Sequence, residues 1–479
     1  MSDTDLSPPE ALADAASGDP HARKPDSQLD RDDRLRPDFV RKVLDAVEAG
    51  DAAAARMLVE PLHPADIADL FELTPADERA DLAQAIAGQL DADVFAEMND
   101  YVREALIDAL TATQVADIAS ELDTDDAVAI IEDLDADEQL QVLRAMEPDD
   151  RAAIEEALSY PEESAGRLMQ REMIAVPEYW TVGDTIDYLR GNEDLTSDFW
   201  EIFVVDAGHH PIGTCALSWI LRTRRPVGIA QVMKREQTLI PVDMDQEEVA
   251  LRFQKYALIS AAVVDASNRL VGMITVDDIV HIIQQEAGED VLRLSGAGDG
   301  DINEPIAITV RTRVVWLVIN FFTAMVAAAV IDAFDAEIAS FALLSALMTI
   351  VSGMGGNAGT QTLAVVVRAI ATNQLTDSNT WWMILREFRI ALANGALLGA
   401  LIGGGSFVIY HNAPLALVFG ASILINNLVA GLAGVLIPIA LDRWRLDPAV
   451  SSAVFVTMMT DCCGFGTFLG LATLFGLHG

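Results

Sequence analysis

Residues 449–477 read AVSSAVFVTMMTDCCGFGTFLGLATLFGL, and a single carboxylate, Asp461, stands in the middle of them. The rest of the run is apolar, small or hydroxylated and exceeds the ~20 residues that cross the hydrocarbon core of a bilayer. Asp461 lies about 18 Å along a helix starting at Ala449, close to the bilayer midplane, at 1.5 Å per residue. An ionised carboxylate there costs at least ~2.5 kcal/mol, so an intramembrane acid lines a watery path or has a partner. No Lys, Arg or His in the spans lies at a depth to neutralise it, and a cation is the natural candidate. The competing reading is a protonated Asp461 hydrogen-bonded to a neighbouring helix. Cys462 and Cys463 point about 100° apart around the helix and read as small packing residues rather than a redox pair.

Four more apolar stretches precede this one, at 314–331, 338–370 (interrupted), 383–410 and 414–441, which predicts a five-helix membrane domain. Arg311 and Arg313, then Arg368, Arg386 and Arg389, then Arg443 and Arg445 all fall on one side of these spans. Because Lys and Arg stay cytoplasmic, the residues before the first span are placed in the cytoplasm and the C-terminus outside, in a cell (inner) membrane. In VSGMGGNAGTQ (351–361), four glycines surround Asn357, with Gln361 one helical turn on. Such a segment either lets backbone carbonyls face a cavity covered by protein or water, or packs helices closely through small residues. Asn426 and Asn427 read as interhelical hydrogen-bond formers.

Charge separates the two halves of the chain. The 479 residues carry 74 acidic and 31 basic side chains, but residues 305–479 hold only 8 and 7 of these, leaving 66 and 24 to residues 1–304. So negative a field argues against nucleic acid as a partner and favours cations; salt adaptation is the other reading of the same acidity. Three cysteines, Cys215, Cys462 and Cys463, show no metal-ligand spacing and no disulfide framework. The first 20 residues lack the basic and apolar regions of a cleavable signal, and 1–35 read as a disordered acidic lead-in.

The acidic part has two textures. EIFVVDAGHHPIGTCALSWIL (201–221) aligns without gaps with SAAVVDASNRLVGMITVDDIV (260–280). Each unit reads as helix, strand, turn, strand and amphipathic helix, and two such units would pack as a pair. Upstream, 36–160 shows no strand signal. Short helical segments alternate with Asp-rich turns, Ala-Asp-Ile-Ala recurs at 65–68 and 116–119, and the Asp residues mostly serve as N-caps. The fold class is therefore a multidomain α-helical membrane protein. Helical repeats at 36–160 lead into paired α/β units at 161–225 and 226–285, a connecting helix at 286–310 and the membrane domain at 311–479.

These pieces in this order resemble the MgtE family of magnesium channels and transporters. The marks that carry the resemblance are HPADIADL (63–70), YPEESAGRLM (160–169), LVGMITVDDIV (270–280), GEDVLRLSG (288–296), GMGGNAGTQ (353–361) and DPAVSSAVFVTMMTDCCGFG (447–466). The resemblance implies a homodimer in the lipid bilayer with a cytoplasmic α-superhelical N domain, tandem cystathionine β-synthase-type (CBS) domains, a "plug" helix and five transmembrane helices. It also implies an ion path on the dimer axis, with Asp461 as the selectivity aspartate meeting Mg²⁺ largely through bound water, since this ion dehydrates reluctantly. Thr457, one turn earlier, and Asn357 would line the same path. Regulatory Mg²⁺ would bind Glu286, Glu289 and Asp290 of the plug helix, with Asp277, Asp278, Asp125 and Asp126 as further acids, closing the path when cytosolic Mg²⁺ is high. Thr275 and Asp278 fit the ribose-contacting pattern through which some members bind ATP. The sequence departs from many members at Thr349 and at Ala453-Val454, where a proline-containing pattern is expected.

The function read from all this is Mg²⁺ import through a channel gated by cytosolic Mg²⁺. A gradient-coupled carrier for Co²⁺ or Mn²⁺ and a membrane-tethered sensor that transports nothing are the alternatives. An enzyme is not expected, because no nucleophile-base constellation or phosphate loop is visible.

Overall fold

A computed structural model describes residues 28–192, 195, 199–295, 302–376, 378–449 and 452–477. It divides into two compact units: one holds the chain up to Gln246 together with Leu258–Val276, the other holds Glu247–Ala257 and everything from Asp277 onward.

The first unit starts with ten α-helices among the described residues, from α1 (Pro37–Glu48) to α10 (Pro148–Leu158). None exceeds 12 residues, too short to be stable alone in water, so each depends on its capped start and its buried face. Asp51 and Asp91 accept the Ala54 and Val94 amides at the starts of two of them. His63 and Thr111 form capping boxes at the starts of α3 (Pro64–Glu72) and α7 (Ala112–Ser120). The Ala-Asp-Ile-Ala motif lies in both α3 and α7, but it begins two residues past the cap in one and five past it in the other. The two copies therefore bury different faces. The helices share one core running from Leu35 to Ala157, with Phe71, Leu82, Ile86, Ile130 and Ile131 fully buried.

The repeat predicted downstream is realised, with one parallel strand more in each copy than the two that the sequence reading placed. Strand β1 (Ala175–Pro177) runs parallel to β2 (Glu201–Val205), which runs antiparallel to β3 (Pro211–Ala216). The second sheet repeats this order with β4 (Leu239–Pro241), β5 (Ser260–Val264) and β6 (Leu270–Thr275). Even the irregularity recurs: the register shifts at Val204/Val205 and at Val263/Val264. Each hairpin is closed by an aspartate. Asp206 Oδ1 accepts the Gly208 and His210 amides at 2.8 and 2.9 Å, and Asp265 Oδ1 accepts the Ser267 and Arg269 amides at 2.8 Å. These bonds hold both carboxyls below the usual aspartate range, the amide of His210 or of Arg269 being the largest cause. The sheets pack as a pair through Phe203, Val205, Ala262, Leu270 and Met273, and Ser260 donates to Glu201 at 3.0 Å. Cys215 lies inside the first sheet, where burial pushes its thiol up to about 11.

Helices α11 (Val182–Gly191), α12 (Leu217–Arg222) and α13 (Ile229–Val232) complete the first unit, while α14 (Gln246–Tyr256) and α15 (Val276–Ser295) belong, but for their first residues, to the second. Helix α15 runs unbroken through both the end of the second repeat and the start of the predicted connecting segment. Then come α16 (Ile306–Asp332), the short α17 (Asp335–Ser340), α18 (Leu343–Ala371), α19 (Thr380–Tyr410), α20 (Ala413–Arg443) and α21 (Ser452–Leu474). The interruption expected in the second apolar stretch falls at Phe341, whose backbone leaves the helical region. By length and apolarity four helices among the described residues, α16, α19, α20 and α21, can cross a membrane. Helix α18 is long enough at 29 residues, but Ser, Gly, Asn, Thr and Gln crowd its middle. Helix α20 is the hub, packing on α18, α19 and α21. It approaches α19 closely because Gly420 and Gly399 face each other: a Cβ on Gly420 would sit 2.6 Å from the Gly399 carbonyl oxygen.

Candidate functional site

Asp461 lies midway along α21, half-buried, and the hydroxyl of Ser352 on α18 donates to its Oδ1. Among the described residues no basic side chain pairs with it. Glu387 on α19, the other acid buried among these helices, differs: its Oε1 is 2.6 Å from the guanidinium of Arg386, and Thr362 approaches its Oε2 at 3.5 Å. One acid is thus neutralised by an arginine on its own helix, while Asp461 has only a neutral donor.

Thr457 stands one turn before Asp461, half-buried on the same face of α21. Its hydroxyl donates to the Ala453 carbonyl at 2.8 Å, which leaves the oxygen lone pairs available as acceptors. Asn357 is exposed on α18. It belongs to a polar strip, Thr349, Gly353, Asn357, Thr360 and Gln361, that follows helical spacing and is left uncovered by the rest of the chain.

The glycines of α18 do not open the helix, which is continuous from Leu343 to Ala371. They divide by face. Gly353 and Gly356 have open space where a side chain would go, whereas a Cβ on Gly355 would lie 2.1 Å from Asn426 Nδ2 and one on Gly359 2.5 Å from Val456. Close packing through small residues is therefore present on one side of the helix, and the opposite side is left uncovered by the rest of the chain. Asn426 is an interhelical hydrogen-bond former, donating to the Val351 carbonyl at 2.9 Å. Asn427 is not: its amide donates back to Ile423 of its own helix, also at 2.9 Å.

The predicted regulatory acids lie in both units. Asp277, Asp278, Glu286 and Glu289 are carried by α15, with Asp277 exposed and the other three half-buried. The side chain of Asp290 lies outside the described residues. Glu289 is not simply one acid among acids. Arg293 reaches it at 2.5 Å and also reaches Asp447, in the turn before α21, at 3.0 Å. Leu294 adds apolar contact to the core formed by Leu363, Val367, Ala433, Ala449 and Val456. The end of α15 is thus fastened to the basic end of the bundle by an ion-pair relay and a leucine. Spacing alone did not single out Arg293 or Ser352; the i, i+4 distance from Glu289 to Arg293 was the one available signal.

Asp125 and Asp126 occupy the first turn of α8 (Thr124–Glu132), in the first unit. Asp125 is buried and Asp126 half-buried, and Thr124 beside them donates to Glu172 at 2.7 Å. Thr275 is buried at the end of β6 and Asp278 lies in the first turn of α15. Among the described residues no three His, Cys, Asp or Glu side chains gather closely enough to hold a metal ion.

A bundle of membrane-length helices with an acid at its centre lacking a basic partner, attached to a strongly acidic helical and α/β portion, defines a cation transporter of the membrane. Comparison with known proteins gives the family. Residues 348–471 match the model of the MgtE divalent cation transporter, 62–163 the MgtE intracellular N domain and 229–285 the CBS domain. The chain is 32% identical over 318 residues to the magnesium transporter MgtE of Enterococcus faecalis, covering 66% of this chain and 70% of that one. It is 26% identical over 439 residues to the magnesium transporter MgtE of Bacillus subtilis, covering 91% and 97%. Among solved structures it is similar to the cytosolic domain of the Mg²⁺ channel MgtE in complex with ATP, at 26% identity and TM-score 0.47, covering 51% of this chain and 99% of that one. The chain belongs to the MgtE family of magnesium transporters.

Proposed function

We propose that the protein is a homodimeric, Mg²⁺-selective channel that imports Mg²⁺ and closes when cytosolic Mg²⁺ rises. The observation that carries this is the pairing of Asp461 with a hydroxyl alone, next to the uncovered polar strip of α18. A strip of Thr, Asn and Gln in a bilayer must meet protein or water, and a second copy of the chain enclosing a watery path supplies both. In that arrangement α18 is the fifth spanning helix, and the two Asp461 carboxylates face one hydrated Mg²⁺. The ion keeps most of its waters, as its slow dehydration favours. Ser352 holds one carboxylate oxygen, leaving the other to accept from the waters of the ion. Thr457 and Asn357 add neutral oxygens, both on the side of Asp461 that leads toward the contact of Gly359 with Val456.

For gating, Glu286, Glu289, Asp290, Asp277, Asp278, Asp125 and Asp126 are the acids proposed to bind regulatory Mg²⁺. The relay through Arg293 favours α15 as the closing element, because it already joins that helix to the turn leading into α21. Metal binding then selects the closed state by its higher affinity for it. Thr275 and Asp278 are proposed to contact the ribose of a bound adenine nucleotide. The proposed divisions are an N domain at 36–160, CBS domains at 161–225 and 226–285, a plug at 286–310 and a pore domain at 311–479. The proposed topology has the N-terminus cytoplasmic, on the side of the basic residues, and the C-terminus outside.

Recording current from membrane patches while cytosolic Mg²⁺ is stepped tests gating. Current should fall as Mg²⁺ rises, and a current indifferent to Mg²⁺ would remove the sensor role of these acids.

A further inference from the structure

Asn426 is a fully buried amide with an unusual accounting. Its Nδ2 donates to the Val351 carbonyl at 2.9 Å, while its Oδ1 has no hydrogen-bond partner. An orphaned buried acceptor is destabilising, and an apolar side chain of the same size would avoid it. What the amide contributes must therefore come from the bond it makes. That bond fastens the carbonyl immediately before Ser352, the residue that donates to Asp461.

The neighbours on both sides are glycines. A Cβ on Gly355 of α18 would stand 2.1 Å from Nδ2, and a Cβ on Gly464 of α21 would stand 2.8 Å from it. Gly464 is three residues past Asp461, on the same side of its helix. Asn426 of α20 thus fills a slot between the two helices that carry Ser352 and Asp461, within one turn of each.

We propose that Asn426 is a positioning residue for ion selection: it fixes the turn of α18 against α21 so that Ser352 meets Asp461 in a single geometry. The inference rests on the reading of Asp461 as the pore ligand and extends it to a residue that touches neither ion nor water path. Partners that orient a ligand alter affinity or activity by about 10–100-fold when removed.

The test is a double-mutant cycle on the full-length channel in planar bilayers, reading the Mg²⁺ over Ca²⁺ permeability ratio for N426L, S352A and the pair, with D461A as reference. N426L and S352A should each lower the ratio by about tenfold, and the pair should do no worse than either alone, because both act on one contact. A folded N426L channel with the wild-type ratio, or fully additive effects, overturns the proposal. If N426L is not recovered as a monodisperse protein, G464A, whose added methyl crowds Nδ2, is read instead. A lowered ratio supports the proposal and an unchanged one overturns it. If D461A leaves both conduction and the ratio intact, the pore reading itself has failed; if D461A loses them while N426L does not, only the positioning role has.

Discussion

The hydroxyl of Ser352 on α18 donates to the carboxylate of Asp461 on α21, a contact spanning 109 positions of the chain. It supplies the fixed donor that a buried carboxylate requires without cancelling its charge, as Arg386 does for Glu387. A carboxyl group held by one hydroxyl keeps further oxygen lone pairs, and these are open to whatever cation can reach them.

Removing that donor should be felt in transport more than in folding. S352A loses one hydrogen bond to a charged group, worth about 1.5–3 kcal/mol, and leaves Asp461 free to rotate. Mg²⁺ flux at limiting concentration should fall by roughly tenfold or more, while the protein still elutes as an intact oligomer. Wild-type flux from S352A would show that the contact is incidental.

The closeness of α19 and α20 depends on two facing glycines, which gives a paired prediction on stability. G420A places a methyl 2.6 Å from the Gly399 carbonyl oxygen, a backbone atom that cannot rotate away. Overpacking of this kind costs about 1–3 kcal/mol. G405A, where nothing lies within 4 Å of an added Cβ, should be neutral. Thermal stability in detergent, followed by size-exclusion chromatography, should fall for the first variant alone.

Arg293 should set the Mg²⁺ level at which the channel closes. With R293A, Glu289 and Asp447 lose their shared cation, and the end of α15 loses its ion-pair relay to the turn before α21. Partly exposed pairs are each worth up to about 1 kcal/mol, so the half-closing Mg²⁺ concentration should rise by several-fold, up to about thirtyfold for two pairs. Current recordings in which R293A closes at the wild-type concentration would dismiss the relay as a gating element.

Stability of the acidic portion should pass through a maximum in mild acid. Asp69, Glu104 and Glu132 are all raised, burial being the largest cause in each, with neighbouring acids contributing further. A carboxyl raised by folding opposes the fold when ionised, so stability is recovered as pH falls toward the raised value. Asp184, Asp206 and Asp265 are lowered by backbone hydrogen bonds, so the stability they lend is present at neutral pH and lost as pH falls through their depressed values, below about 4. Thermal melts should therefore improve as pH falls from neutral into mild acid and worsen below about 4. A monotonic decline from pH 7 downward would contradict this balance.

Much of this architecture was legible in the sequence for identifiable reasons. Long apolar runs can hardly be anything but membrane helices, and the gapless alignment of 201–221 with 260–280 marked the two hairpins, though not the parallel strands β1 and β4 that complete each sheet. The Ala-Asp-Ile-Ala repeat was a poorer guide, because four residues do not set the distance from a helix cap, and α3 and α7 use them on different faces. Asp461 announced itself by cost, as the one charge in its span. Ser352 did not, since a serine beside glycines in an apolar helix is compatible with many roles and its partner lies far along the chain. Asn426 and Asn427 are adjacent and chemically identical; only the packing of α18 and α21 around the first gives it a partner on another helix while the second bonds to its own.

The account stands or falls on Asp461 as the residue that meets the ion. The direct measurement is growth of a Mg²⁺-uptake-deficient strain on limiting Mg²⁺, carrying either the wild-type chain or D461A, with equal membrane expression verified. Wild type should restore growth and D461A should not. Full rescue by D461A would contradict the assignment.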